Sequence, residues 1–298
     1  MKFSVLIPAF QAGHFIDRAL ESVRAQTNSD WEAIIVEDGS HDRTRECVEQ
    51  FTRSGLQLVR YENLHENRGV ATARNRLLEL ASGEAFAFLD ADDRWETSHL
   101  ANAAALIHNG AELVVSGVST FDLAQNRALE NFSPPPALIR NPVLTLFLES
   151  CIVTSSAVVL TRDLAMRTGR FDPAFRIGED RDYWLRAALA GGRFATTGEF
   201  TCSYAKHASS SMAHTRVVAE QTVRFYEKYR TLATVPSRQR RRLFAESLIC
   251  LGRLMREQDK QKSAACFWRA WQYEPLNPRI LFHLVFTGWR SVTPARAT

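Results

Sequence analysis

Apolar runs of strand length alternate with helical patterns through the first half of the chain. The runs are rich in β-branched and aromatic residues, and between the first two of them Phe15, Ile16, Ala19, Leu20 and Val23 recur at helical spacing. Alternation of this kind predicts an α/β fold in which helices flank a mainly parallel central sheet. Strands are expected at residues 3–7, 33–36, 56–61, 85–89 and 112–116, with a further buried strand within 151–160.

The charge distribution divides the chain in two. Residues 1–215 carry 21 Lys and Arg against 27 Asp and Glu, whereas residues 216–298 carry 16 against 6. From about residue 216 onward the pattern indicates helices alone, with Pro236, Pro275 and Pro278 at their boundaries. We therefore expect an acidic α/β domain over 1–215 and a basic, all-helical C-terminal extension over 216–298.

The cysteines and the N-terminal residues indicate the cellular compartment of the protein. The five cysteines are widely spaced and form no CxxC pair, which favours reduced thiols and gives no zinc motif. The first apolar run stops at Pro8, too early for a signal peptide. The most apolar late segment, 280–289, has about half of the roughly 20 residues that a spanning helix needs. The sequence thus predicts a cytoplasmic protein.

Acidic residues follow two of the predicted strands, at the edge where the carboxyl ends of parallel strands meet. Asp90, Asp92 and Asp93 come directly after the run 85–89, and their mutual repulsion would raise a pKa unless a cation neutralised them. Mn²⁺ or Mg²⁺ suits this cluster, since such ions bind one or two carboxylates and complete their oxygen shell with substrate phosphates. The alternative is that the carboxylates cap a helix beginning near Glu96.

A nucleotide site is expected beside this cluster. Neither a Walker A motif nor a GxGxxG after the first strand occurs, so a P-loop and a dinucleotide fold are excluded. Asp38, after the second strand, can accept a hydrogen bond from a ring N–H of uracil or guanine, and Phe10 can stack on the base. Arg68 and Arg74 flank a turn glycine, and either guanidinium can reach phosphate or pair with an acidic strand end.

Five ordered segments of the sequence resemble the inverting family 2 glycosyltransferases, which have the GT-A fold. The resemblance covers roughly the first 210 residues, and the order and separations of the segments make it specific. The segments are Val5-Leu-Ile-Pro-Ala-Phe10, Ile34-Ile-Val-Glu-Asp-Gly-Ser-His-Asp42, Asn67-Arg-Gly-Val-Ala-Thr-Ala-Arg-Asn75, Phe88-Leu-Asp-Ala-Asp-Asp-Arg-Trp95 and Gly178-Glu-Asp-Arg-Asp-Tyr-Trp-Leu-Arg186.

The resemblance implies how the donor is held. The family's Asp-x-Asp signature binds a metal that bridges the donor diphosphate, and it maps onto Asp90 and Asp92 with Asp93 adjacent. His207 resembles the histidine that follows the last strand of the catalytic domain and meets the diphosphate or the metal. Expected metal ligands are Asp90, Asp92, Asp93 and His207, and expected nucleotide-binding residues are Pro8, Ala9, Phe10, Glu37, Asp38, Arg68, Arg74, Asp90 and Ala91.

The resemblance also implies the catalytic residues. The family's Glu-Asp pair at the start of a later helix supplies the general base and maps onto Glu179 and Asp180, of which Asp180 is preferred. The alternative for this pair is a helix start favoured by the macrodipole. Two departures from the family pattern concern recognition of the nucleotide base. Glu37 stands where the family often has Asp, and Phe10-Gln11 stands where Tyr-Asn is common.

The implied reaction is inverting transfer of a sugar from a nucleoside-diphosphate sugar, by default a UDP-sugar, to a hydroxyl of a saccharide or lipid-linked acceptor. Such a reaction would serve the synthesis of a cell-surface polysaccharide or glycolipid. Two alternatives are a nucleotidyltransferase that makes nucleotide sugars and a noncatalytic binding protein. The chain has no Gly-rich loop near the first strand, which disfavours a nucleotidyltransferase. The presence together of Asp90, Asp92 and Asp180 disfavours a noncatalytic binding protein.

The basic C-terminal region has two open interpretations. It contains the run Arg238-Gln-Arg-Arg-Arg242 and an aromatic set, and a basic amphipathic helix of this kind can dock on an anionic membrane or a lipid-linked acceptor. Docking would place the protein peripherally at the inner face of the plasma membrane. Alternatively, the aromatic residues pack internally and the arginines form a solvated face. No nucleic-acid partner is expected. The aromatic set is Trp268, Trp271, Phe282, Phe286 and Trp289.

Overall fold

The structure, a computed structural model, describes residues 1–53, 59–123, 125, 127–207 and 215–286, with the backbone alone at 285 and 286. The strands are β1 (Phe3–Ala9), β2 (Trp31–Glu37), β3 (Val59–Asn63), β4 (Ala85–Phe88), β5 (Arg94–Trp95), β6 (Leu113–Asp122), β7 (Arg127–Phe132), β8 (Val158–Thr161) and β9 (Phe194–Lys206). The helices are α1 (Ile16–Arg24), α2 (Thr44–Arg53), α3 (Val70–Leu80), α4 (His99–His108), α5 (Ala137–Arg140), α6 (Pro142–Leu148), α7 (Arg162–Thr168), α8 (Glu179–Leu189), α9 (Thr215–Lys228), α10 (Ser237–Met255), α11 (Lys260–Tyr273) and α12 (Pro278–Phe286).

The described strands form one mixed sheet in the order β3-β2-β1-β4-β8-β6-β9-β5, with β7 beside β6. The first four of these run parallel, and Phe3 of β1 stands between Trp31 of β2 and Ala85 of β4. β8 runs antiparallel to both of its neighbours, whereas β9 runs parallel to β6. The α/β prediction is confirmed, and the parallel half of the sheet supplies the strand ends of the predicted donor site.

Burial explains why the first strands are almost continuously apolar. Every residue of β1 and β2 is buried, as expected of parallel strands whose two faces are both covered. Helix α1 contributes Ile16, Ala19, Leu20 and Val23 to the core, four of the five positions whose helical spacing predicted it, while Phe15 precedes the helix as its N-cap residue. The site is therefore built on a rigid support.

Most of the predicted strands are present, and the exceptions have physical causes. Residues 56–58 of the predicted third strand lie outside the described residues. Within 151–160 only the end is a strand, because Thr154 accepts a bond from the Ser156 N–H and starts a 3-10 turn at Ser155–Ala157. The sequence pattern gave no bounds for β9, because eight of its 13 residues are partly or fully exposed and form no apolar run.

The chain divides into two compact units, Met1–Ser210 and Ser211–Thr298. The described part of the second unit consists of α9 to α12. In it α10 and α11 approach closely at Gly252, where an added Cβ would lie 3.0 Å from the Phe267 ring. The Ser263 hydroxyl donates to the Gly252 carbonyl across the same contact, at 2.7 Å. Within the described residues no helix is long and apolar enough to cross a membrane.

Candidate active site

The loop after β2 is fixed by its own acidic residues. Glu37 is buried and accepts from the Tyr61 hydroxyl and, at 3.0 Å, from Asn63 Nδ2. Asp38 is also buried, and its two carboxylate oxygens accept from the backbone N–H groups of Arg68 and Gly69, each at 2.8 Å. Asp38 therefore orients the turn that begins α3.

The end of β1 lies directly beside Asp38. The Asp38 N–H donates to the Ala9 carbonyl at 2.8 Å, and Pro8 pairs with Val36 in the sheet. Beyond Ala9 the Phe10 ring is 47% exposed, unlike the buried strand before it. Gln11 has a φ of 50° and donates through its N–H to the Ser40 hydroxyl, which holds the two loops together. The structure thus places the backbone at Asp38 next to the residue that precedes Phe10.

Glycine is required in this loop. Gly39 has a φ of 73°, in the left-handed region that favours glycine. A Cβ there would lie 2.5 Å from the carbonyl carbon of Glu66. The close approach lets the loop after β2 pack on the turn before α3.

The three aspartates after β4 have different surroundings. Asp90 and Asp92 have side chains that are 28% and 30% exposed. Asp92 Oδ2 lies 2.9 Å from His207 Nε2, and the His207 ring stacks on Phe15. Asp93 is fully buried and accepts from Ser156 Oγ at 2.5 Å, Thr154 Oγ1 at 3.0 Å and the Ala205 N–H at 3.0 Å.

Negative charge is concentrated at these aspartates. Burial and the neighbouring Asp90 carboxylate raise the pKa of Asp92. Burial, followed by Asp92 and Asp90, raises the pKa of Asp93 well above its usual value. Burial and the same acidic groups raise the pKa of Tyr204 to about 12. None of the three aspartates caps a helix near Glu96, because β5 intervenes and α4 begins only at His99.

Arg74 joins this cluster to the start of α8. Its side chain is only 4% exposed, donates through Nη2 to Asp90 Oδ1 at 2.7 Å and through Nη1 to Glu179 Oε1. The guanidinium carbon also lies 5.6 Å from the centroid of the Phe171 ring. Of the two roles that the sequence left open for Arg74, ion pairing with an acidic strand end is the one present in the structure.

The Glu-Asp pair opens α8 after Gly178, whose φ is 79°. Burial raises the pKa of Glu179 to about 7, against the opposing effect of Arg74. Burial likewise raises the pKa of Asp180, whose Oδ1 accepts from the Arg181 N–H at 2.7 Å. Glu179 is buried in its ion pair, whereas Asp180 is partly exposed. Of the two carboxylates, Asp180 is the better placed to meet a substrate.

Several residues that support the site were not assigned a role from the sequence. Asn75 exchanges two hydrogen bonds with the Phe171 backbone, and the Phe171 ring stacks on Tyr183 at 3.9 Å between centroids. The Arg181 guanidinium donates to the carbonyls of Leu146 and Phe147 at the end of α6. Asn75 lies in a motif segment, but Ser and Thr at 154–156 follow no pattern that would have identified them.

The comparisons with known proteins agree with this geometry. The model of the family "Glycosyl transferase family 2" matches residues 4–159, just over half of the chain. The chain belongs to glycosyl transferase family 2. This family 2 enzyme is therefore an inverting glycosyltransferase, and the nucleotidyltransferase and noncatalytic alternatives are set aside.

Curated relatives of this chain are bacterial glycosyltransferases. It is 29% identical over 211 residues to the UDP-Glc:alpha-D-GlcNAc-diphosphoundecaprenol beta-1,3-glucosyltransferase WfgD of Escherichia coli, covering 70% of this chain and 79% of the relative. It is also 29% identical over 212 residues to the amylovoran biosynthesis glycosyltransferase AmsB of Erwinia amylovora, covering 68% of this chain and 69% of that protein.

Solved structures show the same fold at low identity. Staphylococcus aureus TarS 1-349 in complex with UDP-GlcNAc superposes with a TM-score of 0.67 at 19% identity, covering 94% of this chain and 83% of that one. The mannosyltransferase PcManGT from Pyrobaculum calidifontis, in complex with GDP-Man and Mn²⁺, gives 0.61 at 17%, covering 97% and 86%. At such identities the likeness confirms the GT-A fold alone.

Proposed function

We propose that this enzyme transfers a sugar from a UDP-sugar to a hydroxyl of a lipid-linked saccharide, with a divalent metal, during synthesis of a cell-surface polysaccharide or glycolipid. The observation that carries the proposal is the Arg74 ion pair, which places the Glu179–Asp180 motif beside the Asp-x-Asp motif. A family relative named for a UDP-Glc donor and a diphosphoundecaprenol acceptor supports the choice of substrates.

The base and ribose would bind at the ends of β1 and β2. The exposed Phe10 ring offers a stacking surface, while Asp38 beside it is held in one orientation by two backbone N–H groups. Because Asp38 is 3% exposed and both of its oxygens already accept, we assign it to holding the turn beside the base rather than to a direct contact with the ring N–H of uracil. Glu37, buried against Tyr61, shapes this loop from behind. Supporting contacts are assigned to Pro8, Ala9, Arg68 and Ala91.

The residues after β4 fit a divalent cation. Asp90 and Asp92 are partly exposed carboxylates, and Asp90 adds to the effect of burial in raising the pKa of Asp92. Among the described residues no group of three His, Cys, Asp or Glu side chains is arranged to hold a metal. Asp90 and Asp92, with His207 beside them, suit Mn²⁺ or Mg²⁺ of the kind that shares its shell with substrate phosphates. When bound there, an ion of this kind would supply positive charge next to the diphosphate leaving group.

Asp180 is assigned as the general base. It takes the proton from the acceptor hydroxyl while that oxygen attacks the anomeric carbon opposite the nucleoside diphosphate, and a single displacement of this kind inverts the configuration. Its raised pKa favours proton uptake, since a base works best when its pKa lies nearer the working pH. Arg74 opposes the effect of burial on the pKa of Glu179 and occupies its carboxyl group, which leaves Asp180 for the acceptor.

We assign different functions to the two compact units. The unit Met1–Ser210 carries every assigned site residue and is the catalytic domain of this proposal. The basic C-terminal region is assigned to an anionic surface, either the membrane itself or the diphosphate of a lipid-linked acceptor. Support comes from its charge of 16 Lys and Arg against 6 Asp and Glu and from exposed Arg238 and Arg242 on α10. Trp289 of the aromatic set lies outside the described residues, as does the Phe286 side chain.

Thermal unfolding tests the donor and the metal together. UDP with Mn²⁺ should stabilise the protein, by about 2.7 kcal/mol at a hundred times the dissociation constant, and more than GDP with Mn²⁺ at the same concentration. Asp92→Asn should abolish the Mn²⁺-dependent part and keep the native circular dichroism spectrum. Asp163→Asn removes the same charge from the exposed start of α7 and should leave the stabilisation unchanged. Stabilisation of both variants to the same extent would refute the metal assignment.

A further inference from the structure

Asp93 differs from its neighbours because the protein already uses its whole carboxylate. It is 1% exposed, and Oδ2 accepts from the hydroxyls of Ser156 and Thr154, while Oδ1 accepts from the Ala205 N–H. The three donors belong to two segments, which lie 61 to 63 and 112 residues further along the chain. A single buried side chain thus connects three parts of the sequence.

The contacts continue from Asp93 to the residues assigned to the donor. Ser156 donates through Oγ to Asp93 and accepts with the same atom from the Asp90 N–H at 2.9 Å. The Ser156 carbonyl accepts from Trp95 Nε1 at 2.7 Å, so both the side chain and the backbone of Ser156 are held. Ala205 lies two residues before His207, whose ring meets Asp92.

We propose that Asp93 is a positioning residue that acts through Ser156 and the Ala205 N–H to place Asp90, Asp92 and His207 for the metal and diphosphate. We call this set of Asp93, Thr154, Ser156 and the Ala205 N–H the Asp93 clamp. The proposal rests on the proposed function and replaces the expectation that Asp93 is itself a ligand. Asp90 and Asp92 retain exposed carboxylate surface, whereas Asp93 has none to offer.

The chemistry of the clamp separates a positioning role from ligation. An asparagine at position 93 can still accept from the Ala205 N–H, and its amide can donate to a hydroxyl, so it preserves part of the clamp. An alanine removes every contact and leaves the Ala205 N–H and two hydroxyls buried without their acceptor. If Asp93 were a metal ligand, Asp93→Asn would lose Mn²⁺ binding, because the neutral amide of asparagine replaces a charged carboxylate.

The test measures Mn²⁺ affinity in the presence of UDP, from the free Mn²⁺ signal in electron paramagnetic resonance. Loss of a partner that orients metal ligands weakens metal binding by about 10- to 100-fold. Asp93→Ala and Ser156→Ala should both fall in this range, Asp93→Asn should lose less, and the Asp93→Ala/Ser156→Ala double variant should lose no more than Asp93→Ala alone. Asp92→Asn should show no Mn²⁺ binding.

Ser155→Ala is the matched control. Ser155 lies on the same 3-10 turn and is equally buried, but its hydroxyl makes no hydrogen bond within the described residues. Its affinity for Mn²⁺ should equal that of the wild type. If Asp93→Asn loses all Mn²⁺ binding while Ser156→Ala binds normally, Asp93 is a ligand and the clamp is refuted. Wild-type affinity in Asp93→Ala refutes it as well.

A wild type that binds no Mn²⁺ would overturn the proposed function. In that case amide hydrogen exchange still tests whether Asp93 positions this segment. The Asp90 N–H should exchange faster in Asp93→Ala, although its own acceptor Ser156 is still present, because that hydroxyl is no longer oriented. Ser155→Ala should leave the Asp90 exchange rate unchanged. An unaltered Asp90 rate in a folded Asp93→Ala protein would show that Asp93 does not position this segment.

Discussion

Charge is used in opposite ways in the two compact units. In the first unit the Arg74 guanidinium is buried between two carboxylates, Asp90 and Glu179. In the second unit the charged groups of α10 are at the surface: Arg242 pairs with Glu246 in an exposed i,i+4 contact, and Arg241 donates to the Tyr273 carbonyl. The first unit is acidic by count and the second basic.

The difference shows where a charged residue can affect chemistry. A buried charge is poorly screened, so one guanidinium influences the pKa of several carboxylates at once. An exposed ion pair is worth less than about 1 kcal/mol and weakens with salt. We therefore expect single substitutions in the buried network to have large and specific effects, and substitutions on the exposed basic face to act additively and weakly.

The largest effect is expected at the general base. Asp180→Asn should lower turnover by roughly 10²- to 10⁴-fold with little change in donor affinity, because the carboxylate acts on the acceptor proton. Initial rates at saturating donor and acceptor measure it. In the wild type, burial raises the pKa of Asp180, so turnover should fall as the pH is lowered through a value above the ordinary range of aspartate.

Glu179→Gln is the paired control for that substitution. Its amide oxygen can still accept from Arg74, so the motif keeps its position and turnover should fall less than in Asp180→Asn. An inactive Glu179→Gln beside an active Asp180→Asn would reverse the two assignments.

The next largest effect concerns stability. Arg74→Met leaves two carboxylates in a buried site without their cation and should lower the free energy of unfolding by about 3–5 kcal/mol. Glu179 already has a pKa raised to about 7, and loss of Arg74 raises it further. A carboxyl whose folded pKa is raised destabilises the fold once it ionises, so the deficit should be larger at pH 8 than at pH 5. Urea denaturation at both pH values checks this.

Arg76→Met provides a control on the same helix. Arg76 forms ion pairs with Glu62 and Glu79 at the surface. Its loss should lower the free energy of unfolding by less than about 1 kcal/mol, and this change should depend little on pH. Equal losses in the two variants would show that burial does not distinguish them.

The smallest effect is expected on the basic face. Liposome flotation should require anionic lipid and weaken with salt, and Arg238→Gln/Arg242→Gln should reduce binding by about 1 kcal/mol for each arginine removed. These two are chosen because Arg240 and Arg241 donate to the carbonyls of Arg230 and Tyr273 within the unit. Arg45→Gln/Arg53→Gln removes equal charge from the exposed face of α2 and should not alter flotation. Flotation indifferent to lipid charge and salt would leave packing as the role of the region.

The parts of the fold that the sequence predicted are those whose signal is local. β1, β2 and α1 are predictable because a fully buried strand, or a buried helix face, requires apolar residues at regular positions close together in the sequence. β9 has no such pattern, since much of it is only partly buried and its place beside β6 depends on residues far away in the chain. The mixed character of the sheet escaped prediction for the same reason.

By itself the sequence determined the family and the order of the motifs that supply the proposed site, because these motifs are short and lie at strand and helix ends. The tertiary structure alone decided which of the carboxylates are committed to the protein. Arg74 meets Glu179 across 105 residues, and Asp93 meets the Ala205 N–H across 112. Contacts at such separations arise only when the sheet brings its strand ends together, so no local pattern separates Asp93 from Asp92.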